Sequence, residues 1–372
     1  MKAVVIGGGI AGLAAADELT RRGVEVDLLE KGPETGRETS SAAAGILAPQ
    51  AEAEGPGPFL DLLLSAAQLI PEAVSRLESL SGIPLHHRVS GMLTLAFSDR
   101  DQADLDRALA WQRQAGLAVE PVRPEVIRRM EPAVDGPVRS GIYWPQTAQI
   151  DPRAFARAYE KVVRAQGGRI FARTTASRVR LRGRRVAGVE SSAGFIETDW
   201  VVHCAGPWAG EELGLPFSIP SIPARGQMIQ FETAAPLLRA VVKSPRAYLV
   251  QRSDRWLIAG TTLEYVGFEN RTTEEGLRGI HRGIGEISST AGFLKTDSSW
   301  AGLRPDTPDH LPILGPTPVE GLLLVTGLFR NGILLAPLAG RLIADRVLGV
   351  RSSLDLSPFG LSRFMAGNGR IV

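Results

Sequence analysis

Ala3-Val4-Val5-Ile6-Gly7-Gly8-Gly9-Ile10-Ala11-Gly12-Leu13-Ala14-Ala15-Ala16 carries an apolar run into a glycine turn and on into an alanine-rich segment. A second apolar run, Val24 to Leu29, ends on Glu30. Each part suits a dinucleotide. Gly7 permits the tight turn out of a strand, Gly9 removes a side chain where a pyrophosphate approaches the backbone, and Gly12 lets the helix pack close to the strands. The helix start offers free N–H groups and a positive dipole end to phosphates. Glu30 follows Gly7 by 23 residues, near the ~20 expected for an acid on the ribose hydroxyls. The motif alone does not separate NAD from FAD.

Composition sets the outer bounds. A chain of 372 residues is expected to form about two domains. Charged residues are 22% and hydrophobic residues 44%, with a formal net charge of +2. That balance gives no reason to expect nucleic acid or an anionic membrane as partner. The single cysteine, Cys204, excludes an intrachain disulfide and any multi-cysteine metal site. It fits a reducing compartment, and a cytoplasmic location is expected. Of five histidines only His86 and His87 are close together, and no H-E-x-x-H spacing occurs, so no metal is expected. The N-terminal apolar run is broken by glycines and belongs to the fold rather than to a signal peptide. Phe59 to Val74 is apolar but carries Asp61, Pro71 and Glu72, so it reads as a buried amphipathic helix presenting Leu60, Leu63, Leu64, Ile70 and Val74, not as a membrane span.

Further along, small residues from Gly36 to Gly45 let backbone pass close to a flat ligand. A helix of about 20 residues is predicted to end near Gly82, a strand to occupy 91–97, and a surface helix 99–114. Asp151-Pro152 reads as the N-cap and first residue of a helix over 152–166. Strands are predicted at 142–144, 168–173, 176–182 and 186–191. Val201 to Gly206 reads as a strand ending in small residues, which gives backbone clearance beside the opening motif. The segments 225–232, 245–252 and 256–262 read as antiparallel strands of a second domain. Leu322 to Gly327, Phe329-Arg330-Asn331-Gly332 and Ile333 to Leu348 read as strand, turn and apolar helix.

With these turns in place the chain resembles the D-amino-acid-oxidase-like FAD-dependent oxidoreductases, nearest to their bacterial glycine oxidase branch. The resemblance rests on Thr39-Ser40-Ser41-Ala42-Ala43-Ala44-Gly45, Gly91-Met92-Leu93 with Leu95-Ala96-Phe97-Ser98, Cys204-Ala205-Gly206 with Trp208, Trp300-Ala301-Gly302-Leu303-Arg304-Pro305, and Phe329-Arg330-Asn331-Gly332-Ile333-Leu334-Leu335-Ala336-Pro337. It implies an α/β fold: a Rossmann-like FAD-binding domain (1–84, 149–216, 301–372) interleaved with an antiparallel-sheet α+β substrate domain (85–148, 217–300). It implies FAD held by Gly7, Gly9, Ile10, Ala11, Gly12, Glu30, Lys31, Thr39, Ser40, Ser41, Ala43, Ala44, Gly45, Leu47, Ala176, Ala205, Gly206 and Trp208. Arg330, Asn331, Gly332, Ile333 and Leu334 would reach the flavin O2 and N1 region, where a helix N-terminus stabilises the negative charge of the reduced ring. Cys204 does not match the covalent flavin cysteine of sarcosine oxidases, so the FAD is expected to be non-covalent.

The same resemblance implies three substrate residues. Arg304 would grip an amino-acid carboxylate through two parallel charge-assisted bonds. Tyr248 would assist it, and Arg330 would line the pocket. The implied reaction is oxidative deamination of glycine or a small amino acid: hydride to flavin N5, hydrolysis of the imine to an oxo acid and ammonia, and reduction of O2 to hydrogen peroxide. No general base is evident in the motifs, which fits catalysis by positioning. Sarcosine, a D-amino acid or a cyclic imino acid are alternative substrates, and a quinone is an alternative acceptor. An NAD dehydrogenase and a non-catalytic FAD-binding protein are readings from other classes. Two departures bear on the substrate: Arg246 stands where the branch tends to have histidine, making a more cationic rim, and Ala48-Pro49-Gln50 departs from the expected small-residue loop. A homotetramer and a place in thiamine biosynthesis are expected from the resemblance only.

Overall fold

The computed structural model describes residues 1–352 and 354–365. The opening motif forms strand Lys2–Ile6, helix Ile10–Arg21 and strand Glu25–Leu29. They belong to a six-stranded sheet in the order Ile313–Pro316, Leu322–Thr326, Trp200–His203, Lys2–Ile6, Glu25–Leu29, Arg169–Phe171. All neighbours run parallel except the first pair. Strands covered on both faces need unbroken apolar sequence, and Val4, Val5, Val201, Val202 and Leu324 provide it, fully buried.

Helices Ile10–Arg21, Pro58–Ser81, Pro152–Ala165 and Gly332–Val347 share one core on one face of this sheet. The first and last come so close that a Cβ at Gly340 would stand 2.5 Å from the Ala14 carbonyl oxygen. The long helix stops at Gly82, whose φ of +67° is the left-handed cap. Asp151 caps the third helix by accepting from the Arg153 and Ala154 amides. Ala176–Arg182, Arg185–Ser191 and Gly194–Glu197 form a small antiparallel sheet against the opposite face. Among the described residues no helix is long and apolar enough to cross a membrane.

The second sheet has eight strands in the order Thr296–Asp306, Ile222–Glu232, Trp256–Gly260, Tyr248–Gln251, Val241–Lys243, Met92–Ala96, Ser140–Trp144, Glu120–Val122. All its pairs are antiparallel except Val241–Lys243 beside Met92–Ala96. Its register sets Trp300, Met228, Gly260, Tyr248, Lys243 and Thr94 opposite one another in a row. Residues directly opposite share a face.

Two features depart from the sequence reading. The boundary expected at 300/301 falls inside Thr296–Asp306, because its ladder with Ile222–Glu232 continues to Asp306. Arg304 is thus carried by the antiparallel sheet. Helix Glu274–Ile287 was not anticipated. It buries Ile280, Ile284 and Ile287 at helical spacing, but Gly276, Gly279, Gly283 and Gly285 dilute the pattern. Gly283 is required by contact: a Cβ there would stand 2.8 Å from the Ala247 Cβ.

Candidate active site

The two sheets enclose a cavity of about 420 Å³. One end is the nucleotide motif. Gly7 has φ +102°, and a Cβ there would lie 2.5 Å from the Cys204 carbonyl oxygen. At Gly12 a Cβ would lie 2.0 Å from the Gly7 carbonyl oxygen. Turn and helix are therefore pressed together as only glycine allows. The Ile10 amide donates to Ser40 Oγ at 2.9 Å, and the first intrahelical bond runs from the Leu13 amide to the Gly9 carbonyl. The Ala11 and Gly12 amides keep no intrahelical acceptor. The Glu30 carboxylate accepts from the Gly8 amide at 2.8 Å and the Gly32 amide at 2.6 Å. That fixes it in the cavity wall with lone pairs to spare for ribose hydroxyls. Lys31 Nζ stands 3.7 Å from the centroid of the Trp208 ring, a cation–π contact closing this end.

Gly206 has φ +58° and nothing within 4 Å of its missing Cβ, so its backbone is open to the cavity. His203 also lines the cavity. Its Nε2 lies 3.1 Å from the Ala209 carbonyl, while its Nδ1 is buried with no partner. Burial lowers its pKa to about 4. From the far end of the chain, helix Gly332–Val347 aims its N-terminus at the same space. Its first turn closes from the Leu335 amide to the Asn331 carbonyl at 2.8 Å, leaving the Gly332, Ile333 and Leu334 amides without intrahelical acceptors. Two helix N-termini, a glycine-lined wall and an orphaned buried imidazole nitrogen fit an extended dinucleotide with phosphates and a ring that gains negative charge.

Every residue expected to touch the cofactor lines this cavity except Gly12, Ser41, Leu47 and Leu334. Gly12 serves packing. The Ser41 hydroxyl turns back to the carbonyls of Arg37 and Glu38. Leu47 and Leu334 bury their side chains in the main core.

Arg304 and Tyr248 meet at the other end. The Arg304 guanidinium lies over Gly226, donating to Thr261 Oγ1 at 2.7 Å and to the Thr262 carbonyl at 3.2 Å. Burial pulls its pKa down, and no hydrogen bond to a carboxylate opposes that. A structural salt bridge is thus not its role among the described residues. The Tyr248 hydroxyl lies 3.2 Å from Met228 Sδ, and burial raises its pKa, so it stays a protonated donor. Arg330 Nε lies 3.0 Å from Glu52 Oε2. Arg246 is at the cavity mouth and paired with Glu286, which offsets the cationic rim expected from it.

Sequence reasoning missed Glu52, Lys243 and Thr261, all of which line this end. Glu52 stood out only as an acid between Ala51 and Ala53. Lys243 is one of five lysines in an arginine-rich chain and ends an apolar strand. Thr261 carries no sequence signal.

A family model described as DAO, FAD dependent oxidoreductase, matches residues 2–346. A glycine oxidase of Pseudomonas aeruginosa is 32% identical over 361 residues, covering 96% of this chain and 98% of the relative. The bifunctional protein ThiO/ThiG of Synechocystis sp. is 33% identical over 97% of this chain, which spans 54% of that relative's length. The crystal structure of glycine oxidase from Geobacillus kaustophilus superposes with a TM-score of 0.93 at 30% identity, covering 97% of this chain and 98% of that one.

Proposed function

The chain belongs to the DAO family of FAD-dependent oxidoreductases, and on that premise we propose that it deaminates glycine or a similarly small amino acid. The observation that carries this reading is Arg304: a buried guanidinium with no carboxylate partner among the described residues, facing a cavity it lines. A substrate carboxylate supplies the missing counter-charge through paired bonds. The names of the glycine oxidases of Pseudomonas aeruginosa and Geobacillus kaustophilus support the choice of substrate.

Bound non-covalently, FAD supplies the two-electron acceptor. The glycine turn, Glu30 and the Ala11 amide would hold its adenosine diphosphate end. The amides of Gly332 and Ile333 would face the flavin end and favour negative charge there. Arg304 and the protonated Tyr248 hydroxyl fix the carboxylate, which orients the α-carbon. Glu52 Oε2 is ion-paired with Arg330 Nε at 3.0 Å but accepts no well-aligned hydrogen bond, so it keeps acceptor capacity for the substrate nitrogen. Enclosure of the cavity limits water and strengthens these contacts. The work of the protein is therefore positioning and charge placement.

Oxygen as acceptor, a homo-oligomeric assembly, a cytoplasmic setting and a role in thiamine biosynthesis form the outer part of this proposal, resting on the resemblance. The decisive experiment compares flavin bleaching and peroxide release with glycine, sarcosine and D-alanine. Bleaching without peroxide under air points to a dehydrogenase using another acceptor. No bleaching by any amino acid sinks the oxidase reading. A thiamine requirement in a deletion strain tests the pathway.

A further inference from the structure

The substrate end of the cavity holds one cation more than a single carboxylate answers. Four cations line it: Lys243, Arg246, Arg304 and Arg330. Arg246 is paired with Glu286 and Arg330 with Glu52. Arg304 awaits the α-carboxylate. Lys243 remains. No hydrogen bond or ion pair among the described residues engages its Nζ, and its nearest charges are Glu52 and Arg330. It is half-buried and lines the cavity.

Its placement is built into the sheet. Lys243 lies directly opposite Tyr248, so both side chains leave the same face. Its other neighbour, Thr94, keeps a buried hydroxyl with no partner. An enclosed ammonium with no bonded counter-ion is costly, and burial lowers the pKa of Lys243 despite the opposing influence of Glu52. A carboxylate beside it would reverse that shift.

We propose that Lys243 binds a second, distal carboxylate, so that the small substrates of this site extend to amino or imino dicarboxylic acids, each favoured over its own monoamide. This rests on the reading of Arg304 as the α-carboxylate site. The geometry agrees. Thr261, which holds Arg304, directly follows the strand Trp256–Gly260, and Lys243 lies two strands away. At ~4.8 Å per strand that is roughly 10 Å. That is the separation of the backbones; the Lys243 and Arg304 side chains both line the cavity between them, where the two ends of a short dicarboxylic acid can meet them.

The test uses the purified holoenzyme and compares kcat/KM for D-aspartate, D-glutamate and iminodiacetate, each against its own neutral monoamide. At least one acid is expected to exceed its amide by tenfold or more, and Lys243→Met is expected to bring that ratio near one. Lys243→Arg should keep the preference. A companion measurement needs no turnover: succinate should perturb the flavin spectrum with a Kd at least tenfold below that of butyrate. Acid-to-amide ratios at or below one in the wild type overturn the proposal, as does a ratio that Lys243→Met leaves unchanged. If glycine bleaches the flavin while no acid is preferred, only the role of Lys243 fails. If no amino or imino acid bleaches it, the underlying oxidase reading fails as well.

Discussion

Arg304 lies directly over Gly226: a methyl group at position 226 would stand 2.2 Å from Arg304 Nη2. The glycine makes the bed in which the guanidinium reaches Thr261. Gly226→Ala should therefore move the arginine rather than the backbone, since the colliding atom ends a flexible side chain. The protein is expected to fold and keep its flavin, while KM for glycine rises by about 1–3 kcal/mol of lost binding. Flavin absorbance and steady-state kinetics check both halves. A simultaneous loss of flavin would mean that Gly226 serves the fold instead.

Arg304→Ala removes the carboxylate partner itself. The expected loss is about 2–5 kcal/mol in kcat/KM, as for a broken buried charge pair. A variant retaining wild-type KM for glycine shows that the carboxylate binds elsewhere. Lysine at 304 should rescue only partly, because one ammonium does not reproduce two parallel bonds.

Gly12→Ala should act on the fold and the cofactor together. The new Cβ meets the Gly7 carbonyl oxygen at 2.0 Å, a backbone atom that cannot swing aside. A loss of about 1–3 kcal/mol or more is expected, seen as a lower Tm and a lower flavin-to-protein ratio. Unchanged flavin content would show that the turn has room which the packing denies.

Glu30→Gln keeps the size of the side chain but presents an NH2 to one of the two amides that the carboxylate now accepts. FAD affinity is expected to fall by about 1–3 kcal/mol, measured by titrating the deflavinated protein. Activity at saturating FAD should be nearly that of the wild type.

The buried His203 gives the fold a pH signature. Its pKa falls from 6.5 to about 4 on burial. The unfolded chain therefore binds the proton first. Stability from this group is fully present above pH 6.5 and is lost as pH falls toward 4, by about 3 kcal/mol in all. Urea denaturation across this range should show a shallower pH dependence in His203→Gln than in the wild type. Equal slopes would assign the loss to carboxylates alone.

What could be read from the chain was local. The turn at Gly7 to Gly12, the Asp151-Pro152 cap and the strand–turn–helix at Leu322 to Leu348 are backbone events within a few residues of their cause, so residue type announces them. Parallel strands Lys2–Ile6 and Trp200–His203 were legible because burial on both faces demands unbroken apolar runs. The resemblance then supplied Arg304 and Tyr248 by position. What remained hidden was decided by register. Lys243 becomes a cavity cation only because its strand pairs with Tyr248 on one side and Thr94 on the other. Glu52 becomes the partner of Arg330 across 278 positions, and Arg304 is left with only Thr261 and the Thr262 carbonyl as hydrogen-bond partners. A sequence states which charges exist. Only the packed sheets decide which of them are already paired, and at this site the unpaired ones carry the chemistry.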